Sequence, residues 1–311
     1  MKTYGFGVDI GGTTVKIGLF NIDGTMLEKW EIPTNTADGG VAILDDVAAS
    51  VLGKIAEKGI DKEEILGIGL GVPGPVDSTG VVHKCVNLGW GVFNVEEALS
   101  EKTGLIVKAG NDANVAALGE AWQGGGKGYQ NVVMVTLGTG VGGGIILNGK
   151  ILPGTNGAAG EIGHIHVDDE EEECCGCGNK GCLEQYASAT GIVRMAKKKL
   201  ASETRQTVLT EKHPLTSKDI FDAAKEGDVV AEELVEQLCN VLGTTLARVS
   251  CVVDPEVFVI GGGVSKAGEI LTEGVAKYYD INAFHASRNC KITLAKLGND
   301  AGMYGSMKQL F

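Results

Sequence analysis

A chain of 311 residues, 43% of them hydrophobic, is long enough for two domains with full cores. Its net charge of −13, with a single basic cluster at Lys197–Lys199, argues against the basic face of a nucleic-acid binder. The 48 glycines are clustered and not periodic, which excludes collagen and low complexity and marks places where backbone comes close to something.

Tyr4–Asp9 reads as a short apolar strand, and Asp9–Thr14, D-I-G-G-T-T, follows it. Val15–Phe20 is apolar and β-branched and is bounded by the turn Asn21–Gly24, so it reads as a second strand. The glycine turn therefore joins strand to strand. A dinucleotide fingerprint or a P-loop joins strand to helix, and the G-K-[ST] ending is absent. A hairpin with backbone N–H groups at Gly11, Gly12, Thr13 and Thr14 can still cradle phosphate. An ordinary glycine hairpin would explain the glycines but not Asp9 and Thr13 beside them.

A third strand is expected near Met26–Ile32, and an amphipathic helix over Val41–Lys58. A buried strand, Ile65–Val72, runs into the rigid loop Gly71–Asp77 with its two prolines. Asn87–Trp90 is a polar turn, Val95–Lys102 a short helix and Leu105–Ala109 a strand. Asn111 and Asp112 then stand between strand and helix in G-N-D-A-N-V-A-A-L-G-E. Aspartate there is a favoured helix N-cap. The same place stabilises a carboxylate that accepts a proton from a bound hydroxyl.

Val132–Leu137 is another apolar strand, ending in Gly138–Gly144. A shift of 127 sets Thr136 on Asp9, Gly138 on Gly11, Gly140 on Thr13 and Asn148 on Asn21. Both copies run strand, glycine turn, strand, asparagine turn, so two half-molecules on one plan are expected. Two such hairpins facing across a cleft would hold a polyphosphate from both sides. Two unrelated glycine hairpins would share the pattern over so short a stretch.

Gly160–Glu184 reads GEIGHIHVDDEEEECCGCGNKGCLE. Cys175, Cys177 and Cys182 form a C-x-C-x4-C array with glycines between them. Three thiolates and one imidazole close a tetrahedral structural zinc site. The chain shows neither a signal peptide nor an apolar run long enough for a bilayer, which points to a cytoplasmic protein. Disulfides are rare there, and such spacing favours metal. Cys175 is preferred to its neighbour Cys174 because it completes C-G-C-G-x-x-G-C. His164 and His166 compete for the fourth place, and spacing does not choose between them. Glu161 and Glu184 bracket this metal clip. The acidic run Asp168–Glu173 reads as a solvated loop.

Tyr186–Leu200 reads as a helix, and Thr216–Asp219 as a capping box opening a helix to Lys225. Apolar residues from Val230 to Val253 recur every three or four positions, giving one long core helix stopped by Pro255. A strand, Glu256–Ile260, leads into Gly261, Gly262 and Gly263, where a flat ring or a ribose can lie on backbone. Helical signals at Ser265–Tyr279, a strand at Lys291–Ala295 and a helix at Ala301–Leu310 complete the chain.

D-I-G-G-T-T, N-D-A-N-x-A-A-L-G-E, L-G-T-G-V-G-G-G, G-E-x-G-H, C-G-C-G-x-x-G-C-L-E and V-I-G-G-G-V-S occur in that order, from Gly7 to about Gly268. Together they resemble the ROK family of sugar kinases and repressors. The resemblance implies an actin/hexokinase-like (ribonuclease H-like) α/β fold of two domains around a cleft. Residues 1–110 with 300–311 would form the small domain. Residues 111–299 would form the large one, with the zinc loop at 164–182. The implied activity is ATP-dependent phosphorylation of a hexose, glucose first, at its 6-hydroxyl. Asp112 matches the catalytic base. Asn111, Glu161, His164 and Glu184 match sugar ligands, and Asn87 joins them. Asp9, Gly11, Gly12 and Thr13 match the first phosphate motif, with Asp9 organising Mg2+. Thr139 and Gly140 match the second, and Gly261–Gly263 the nucleoside loop. His164 would serve twice, one ring nitrogen on zinc and the other on sugar.

Kinases for N-acetylmannosamine, N-acetylglucosamine or fructose stay open, because several family kinases share Glu161, His164 and Glu184; a sugar sensor without catalysis is the lesser alternative, since Asp112 argues against it. A DNA-binding repressor is not expected, because the first strand begins within five residues of Met1 and the chain is acidic. The partners expected are glucose, ATP and further copies of the chain as a homodimer or homotetramer, with no nucleic acid and no membrane.

Overall fold

The computed structural model describes all 311 residues and divides into two compact units. The first comprises Met1–Gly128, Gly144–Ala159 and Leu297–Phe311. Its sheet has the order β3-β2-β1-β4-β5, built from β1 (Tyr4–Ile10), β2 (Thr14–Asn21), β3 (Met26–Pro33), β4 (Ile65–Val72) and β5 (Val107–Asn111). β1, β2 and β3 form an antiparallel meander, and β4 and β5 lie parallel to β1. β1 and β4 are buried on both faces, as continuous apolar runs at a sheet centre require. The apolar stripes of α1 (Ile43–Lys58) and α2 (Val95–Thr103) join the sheet residues Phe6, Val8, Ile68 and Leu70 in one core.

α3 (Asp112–Gln123) and the last helix, α9 (Ala301–Lys308), belong to the same unit. The two helices cross at glycine. A Cβ on Gly305 would lie 1.6 Å from the Val115 carbonyl oxygen, so no other residue permits that approach. Ser306 Oγ donates to Val8 O at 2.8 Å and Gln309 Nε2 to Leu70 O at 2.9 Å, which ties α9 to β1 and β4. This packing keeps α3 with the first unit, whereas the boundary expected at residue 110 assigns it to the second.

The second unit comprises Tyr129–Gly143 and Gly160–Lys296. β6 (Val132–Leu137), β9 (Val257–Gly261) and β10 (Lys291–Leu294) run parallel in it. The sheet these strands share with β7 (Val141–Leu147) and β8 (Lys150–Ile151), whose residues from Gly144 on are counted with the first unit, has the order β8-β7-β6-β9-β10. The two sheets match strand for strand. The shift of 127 carries β6 onto residues 5–10 and β7 onto 14–20, so the repeat legible in sequence is a repeat of structure.

α4 (Glu184–Ala187), α5 (Ala189–Leu200), α6 (Ser217–Lys225), α7 (Val229–Val253) and α8 (Glu269–Asn282) complete this unit. The helix expected over Tyr186–Leu200 is broken at Ser188. That residue is extended, and its side chain accepts the Gly191 N–H, which caps α5. The signal at Ser265–Tyr279 is likewise split by Gly268 at φ 78°. The capping box at Thr216 is formed as expected. No helix is long and apolar enough to cross a membrane.

Candidate active site and metal centre

In the first unit the β1–β2 turn is closed by Gly11 N–H on Thr14 O at 3.0 Å and braced by Thr34, whose hydroxyl donates to Gly11 O at 2.7 Å. Gly12 and Thr13 stand exposed at its tip. Asp9 lies at the end of β1, paired in register with Lys16. Burial pushes its carboxyl up to about 6; Lys16 opposes the shift and Asp112 adds to it. Asp9 and Asp112 therefore share one electrostatic environment. Lys16 is a cation at this turn that the sequence reading passed over, although its place seven residues after Asp9 was visible.

Asp112 is the first residue of α3, and the N-cap is Asn111. The Asn111 side-chain oxygen accepts the Ala113 and Asn114 N–H groups at 3.1 and 3.2 Å. The capping role expected for Asp112 thus belongs to its neighbour, because Asn111 has the extended backbone a cap needs. Asp112 accepts the Ala113 N–H at 2.8 Å and stands at the positive end of a helix. Asn111 Nδ2 donates to Gly74 O, and the Cys85 thiol to Pro73 O. These bonds tether the loop that carries the exposed Asn87. Burial raises the Cys85 thiol, and the Asp112 charge adds to the shift.

In the second unit the β6–β7 turn, Gly138–Gly140, is held from the side. Ala189 N–H donates to Gly138 O at 2.8 Å, and Thr190 Oγ1 to Thr139 O at 2.6 Å. Glu184 Oε2 accepts the Val141 N–H at 3.0 Å. A Cβ at Gly140 would lie 1.9 Å from that same oxygen. Thr139 lines a cavity of ≈ 460 Å3 with Thr190, Lys197 and Ser217. Gly261–Gly263 leave β9 beside Leu137, and Gly263 and Val264 line a second cavity of ≈ 130 Å3 with Phe221 and Ser217. Ser217 belongs to both cavities, so α6 joins the Thr139 turn to the Gly261–Gly263 loop. Sequence reading gave α6 a capping box but no place in a site.

His164, Cys175, Cys177 and Cys182 bring one ligand atom each to within 4.8 Å of the others. Cys177 Sγ and Cys182 Sγ are 3.7 Å apart, as are Cys175 Sγ and His164 Nδ1. A tetrahedral zinc with ordinary bond lengths sets sulfur–sulfur edges of about 3.8 Å and sulfur–nitrogen edges of about 3.6 Å. The four residues fit structural zinc. The structure also decides between the competing residues. Cys174 is exposed and outside the cluster. His166 is engaged at both ring nitrogens, by Lys180 O and by Asp169. With Nδ1 of His164 among the thiols, its Nε2 lies 3.9 Å from Glu161 Oε2.

The acidic run is not uniformly solvated. Glu171 is buried, and Arg194 Nη2 donates to it at 2.6 Å. That pairing, with the Tyr186 hydroxyl, holds its carboxyl far below the usual range.

Two matching α/β sheets, each with a glycine turn after its first strand, and a Cys3His centre beside one turn define a two-domain α/β protein of the sugar-kinase class. The family model described as "ROK family" matches residues 5–310, and the chain belongs to that family. The glucokinase of Halalkalibacterium halodurans is 44% identical over 96% of this chain and 92% of its own. A ROK family glucokinase from Streptomyces griseus, solved in complex with glucose and AMPPNP, is 35% identical with a TM-score of 0.73, covering 98% of both chains. The ROK hexokinase from Thermus thermophilus is 32% identical with a TM-score of 0.80, covering 98% of this chain and 97% of its own.

Proposed function

We propose that the protein is an ATP-dependent glucokinase, converting glucose and ATP to glucose 6-phosphate and ADP. The observation that carries this reading is the near-full-length likeness to a glucokinase solved with glucose and AMPPNP. The residues agree with it.

In the transfer, the 6-hydroxyl oxygen attacks the γ-phosphorus, and the bond from phosphorus to the bridging oxygen breaks. ADP leaves with the electron pair. Asp112 takes the hydroxyl proton, from a position where the end of α3 favours its anion. Asn87, Asn111, Glu161, His164 and Glu184 orient the sugar hydroxyls. Gly11–Thr13 and Thr139–Gly140 receive phosphate oxygens on backbone N–H groups. Gly261–Gly263 and the cavity beside Phe221 receive the nucleoside. Phosphoryl transfer is mostly positioning and charge neutralisation, and Mg2+, with Asp9 helping to organise it, supplies the cation. His164, Cys175, Cys177 and Cys182 would hold structural zinc, which would fix the His164 ring with one nitrogen and leave the other for sugar. A reducing cytoplasm suits three metal-binding thiols. Assembly into a dimer or tetramer would cover Val252, Ile281 and Phe284, which are exposed.

A coupled ADP-release assay with Mg-ATP over a panel of hexoses tests this function. Glucose is expected to give the highest kcat/KM. A higher value for N-acetylglucosamine, N-acetylmannosamine or fructose would replace glucose as substrate, and no ADP from any sugar would remove the kinase reading.

A further inference from the structure

Arg194 occupies a place that the roles above do not use. It lies on α5 and lines two cavities, one at the acidic arm Asp168–Glu173 and one at Thr139. On the first side it closes a network. Arg194 Nη2 donates to Glu171 Oε2 at 2.6 Å and to Gln185 O at 3.1 Å, and Nη1 pairs with Glu173 at 3.3 Å. The Tyr186 hydroxyl donates to the same Glu171 oxygen at 2.7 Å, and the guanidinium lies over the Tyr186 ring. Gln185 completes the weld. Its Nε2 donates to Glu173 O at 2.9 Å, and its Oε1 accepts the Cys182 N–H at 3.1 Å.

The same two helices hold the phosphate turn by their other ends. Glu184 opens α4 and accepts the Val141 N–H. Ala189 and Thr190 open α5 and bond the carbonyls of Gly138 and Thr139. The zinc-loop arm and the phosphate turn are thus fastened to one short rigid piece, α4–α5. The ion pair fixes that piece against the arm. A buried, charge-assisted pair of this kind is costly to break one-sidedly, and its planar fork is not reproduced by lysine.

We propose that Arg194 is a positioning residue. Its pairing with Glu171 locks α4–α5 to the zinc loop and thereby sets the place of the Gly138–Val141 turn and of Glu184. The inference rests on the assignment of that turn to nucleotide phosphate and of Glu184 to sugar.

The test separates positioning from stability. Arg194→Met takes from the buried Glu171 carboxylate its shortest charged partner and leaves it only the Tyr186 hydroxyl and Lys198 at 3.4 Å, so it is expected to lower the melting temperature whatever its role. The double variant Arg194→Met with Glu171→Gln removes that charge and should recover much of the melt. If Arg194 positions the turn, the folded double variant keeps one zinc per chain. Its Kd for AMPPNP and its KM for ATP and glucose rise by about 10–100-fold, the scale on which misplacement of about 1 Å acts. Arg194→Lys should fall between this and wild type. Wild-type affinities in the double variant would overturn the proposal, as would loss of zinc accounting for the whole effect. Because AMPPNP binding is read directly, a chain that binds nucleotide normally but transfers phosphate to no hexose would defeat the kinase reading alone. A wild type that binds no nucleotide would defeat both.

Discussion

The two glycine turns are built on one plan and held in two different ways. Gly11–Thr14 is braced within its own sheet, by Thr14 and Thr34, and its tip is exposed. Gly138–Val141 is likewise closed on itself, by Gly138 N–H on Gly140 O, but is braced from outside its sheet, by Glu184, Ala189 and Thr190. The first turn carries its carboxylate on the strand, at Asp9. The second has threonine at the matching position, Thr136, and takes a carboxylate from the zinc-loop end of α4. The same hairpin is therefore braced in one copy by its own sheet and in the other by helices at the end of the metal loop.

The largest expected effect lies in the first unit. Asp112→Asn leaves the N-cap, Asn111, untouched and removes the proton acceptor. Near-normal melting with a fall in kcat of roughly 10²–10⁴-fold is expected, the usual scale for a lost general base. Full turnover in the folded variant would take Asp112 out of the mechanism.

The next effect sets the two turns against each other. Gly140→Ala places a methyl against the Glu184 carboxylate, which must swing away and give up the Val141 N–H, at a cost of about 1 kcal/mol. The carboxylate then leaves its position, and KM for glucose should rise roughly tenfold or more with only a modest fall in melting. Gly12→Ala meets nothing within 4 Å. Its melting should stay within about 0.5 kcal/mol of wild type, so any rise in KM for ATP reports the ligand's approach alone. Equal effects of both substitutions on glucose KM would erase the distinction between the turns.

Asp9 gives a smaller effect with a definite sign. Its folded pKa of about 6 lies above the ordinary 3.8, so between these values the folded state binds more protons than the unfolded one. Stability contributed at this residue therefore falls as pH rises from about 4 to 6 and stays lost above. Asp9→Asn should raise the melting temperature at pH 7.5, by the equivalent of order 1 kcal/mol, and raise it less at pH 4.5. A variant that melts lower at both pH values would contradict this. The smallest effect is expected at Cys174. Cys174→Ser should keep one zinc per chain by metal analysis, whereas Cys182→Ser should lose it; the reverse outcome would overturn the ligand set.

Much of this was legible in sequence because it is local or repeated. The hairpins follow from alternating apolar runs around glycine, and the shift of 127 anticipates matching sheets. The Cys175–Cys182 array is set by close spacing. Features that depend on distant partners were not legible. Glu171 looks like its acidic neighbours until Arg194, 23 residues on, is seen beside it. Asn111 and Asp112 are both good caps by type, and only the backbone at Asn111 decides between them. Ser188 breaks a helix whose apolar pattern runs straight through it, because its side chain offers the cap that starts α5. The role of α6 depends on packing that brings Ser217 beside both Thr139 and Gly263.

Whether the second turn stands on the zinc loop, and the first does not, is tested most directly by amide hydrogen exchange before and after removal of zinc with a chelator. Exchange at Gly138–Val141 is expected to accelerate at least tenfold, while Gly11–Thr14 keeps its rate. Unchanged exchange at Gly138–Val141, or equal acceleration at both turns, would contradict the dependence of the second turn on the metal loop.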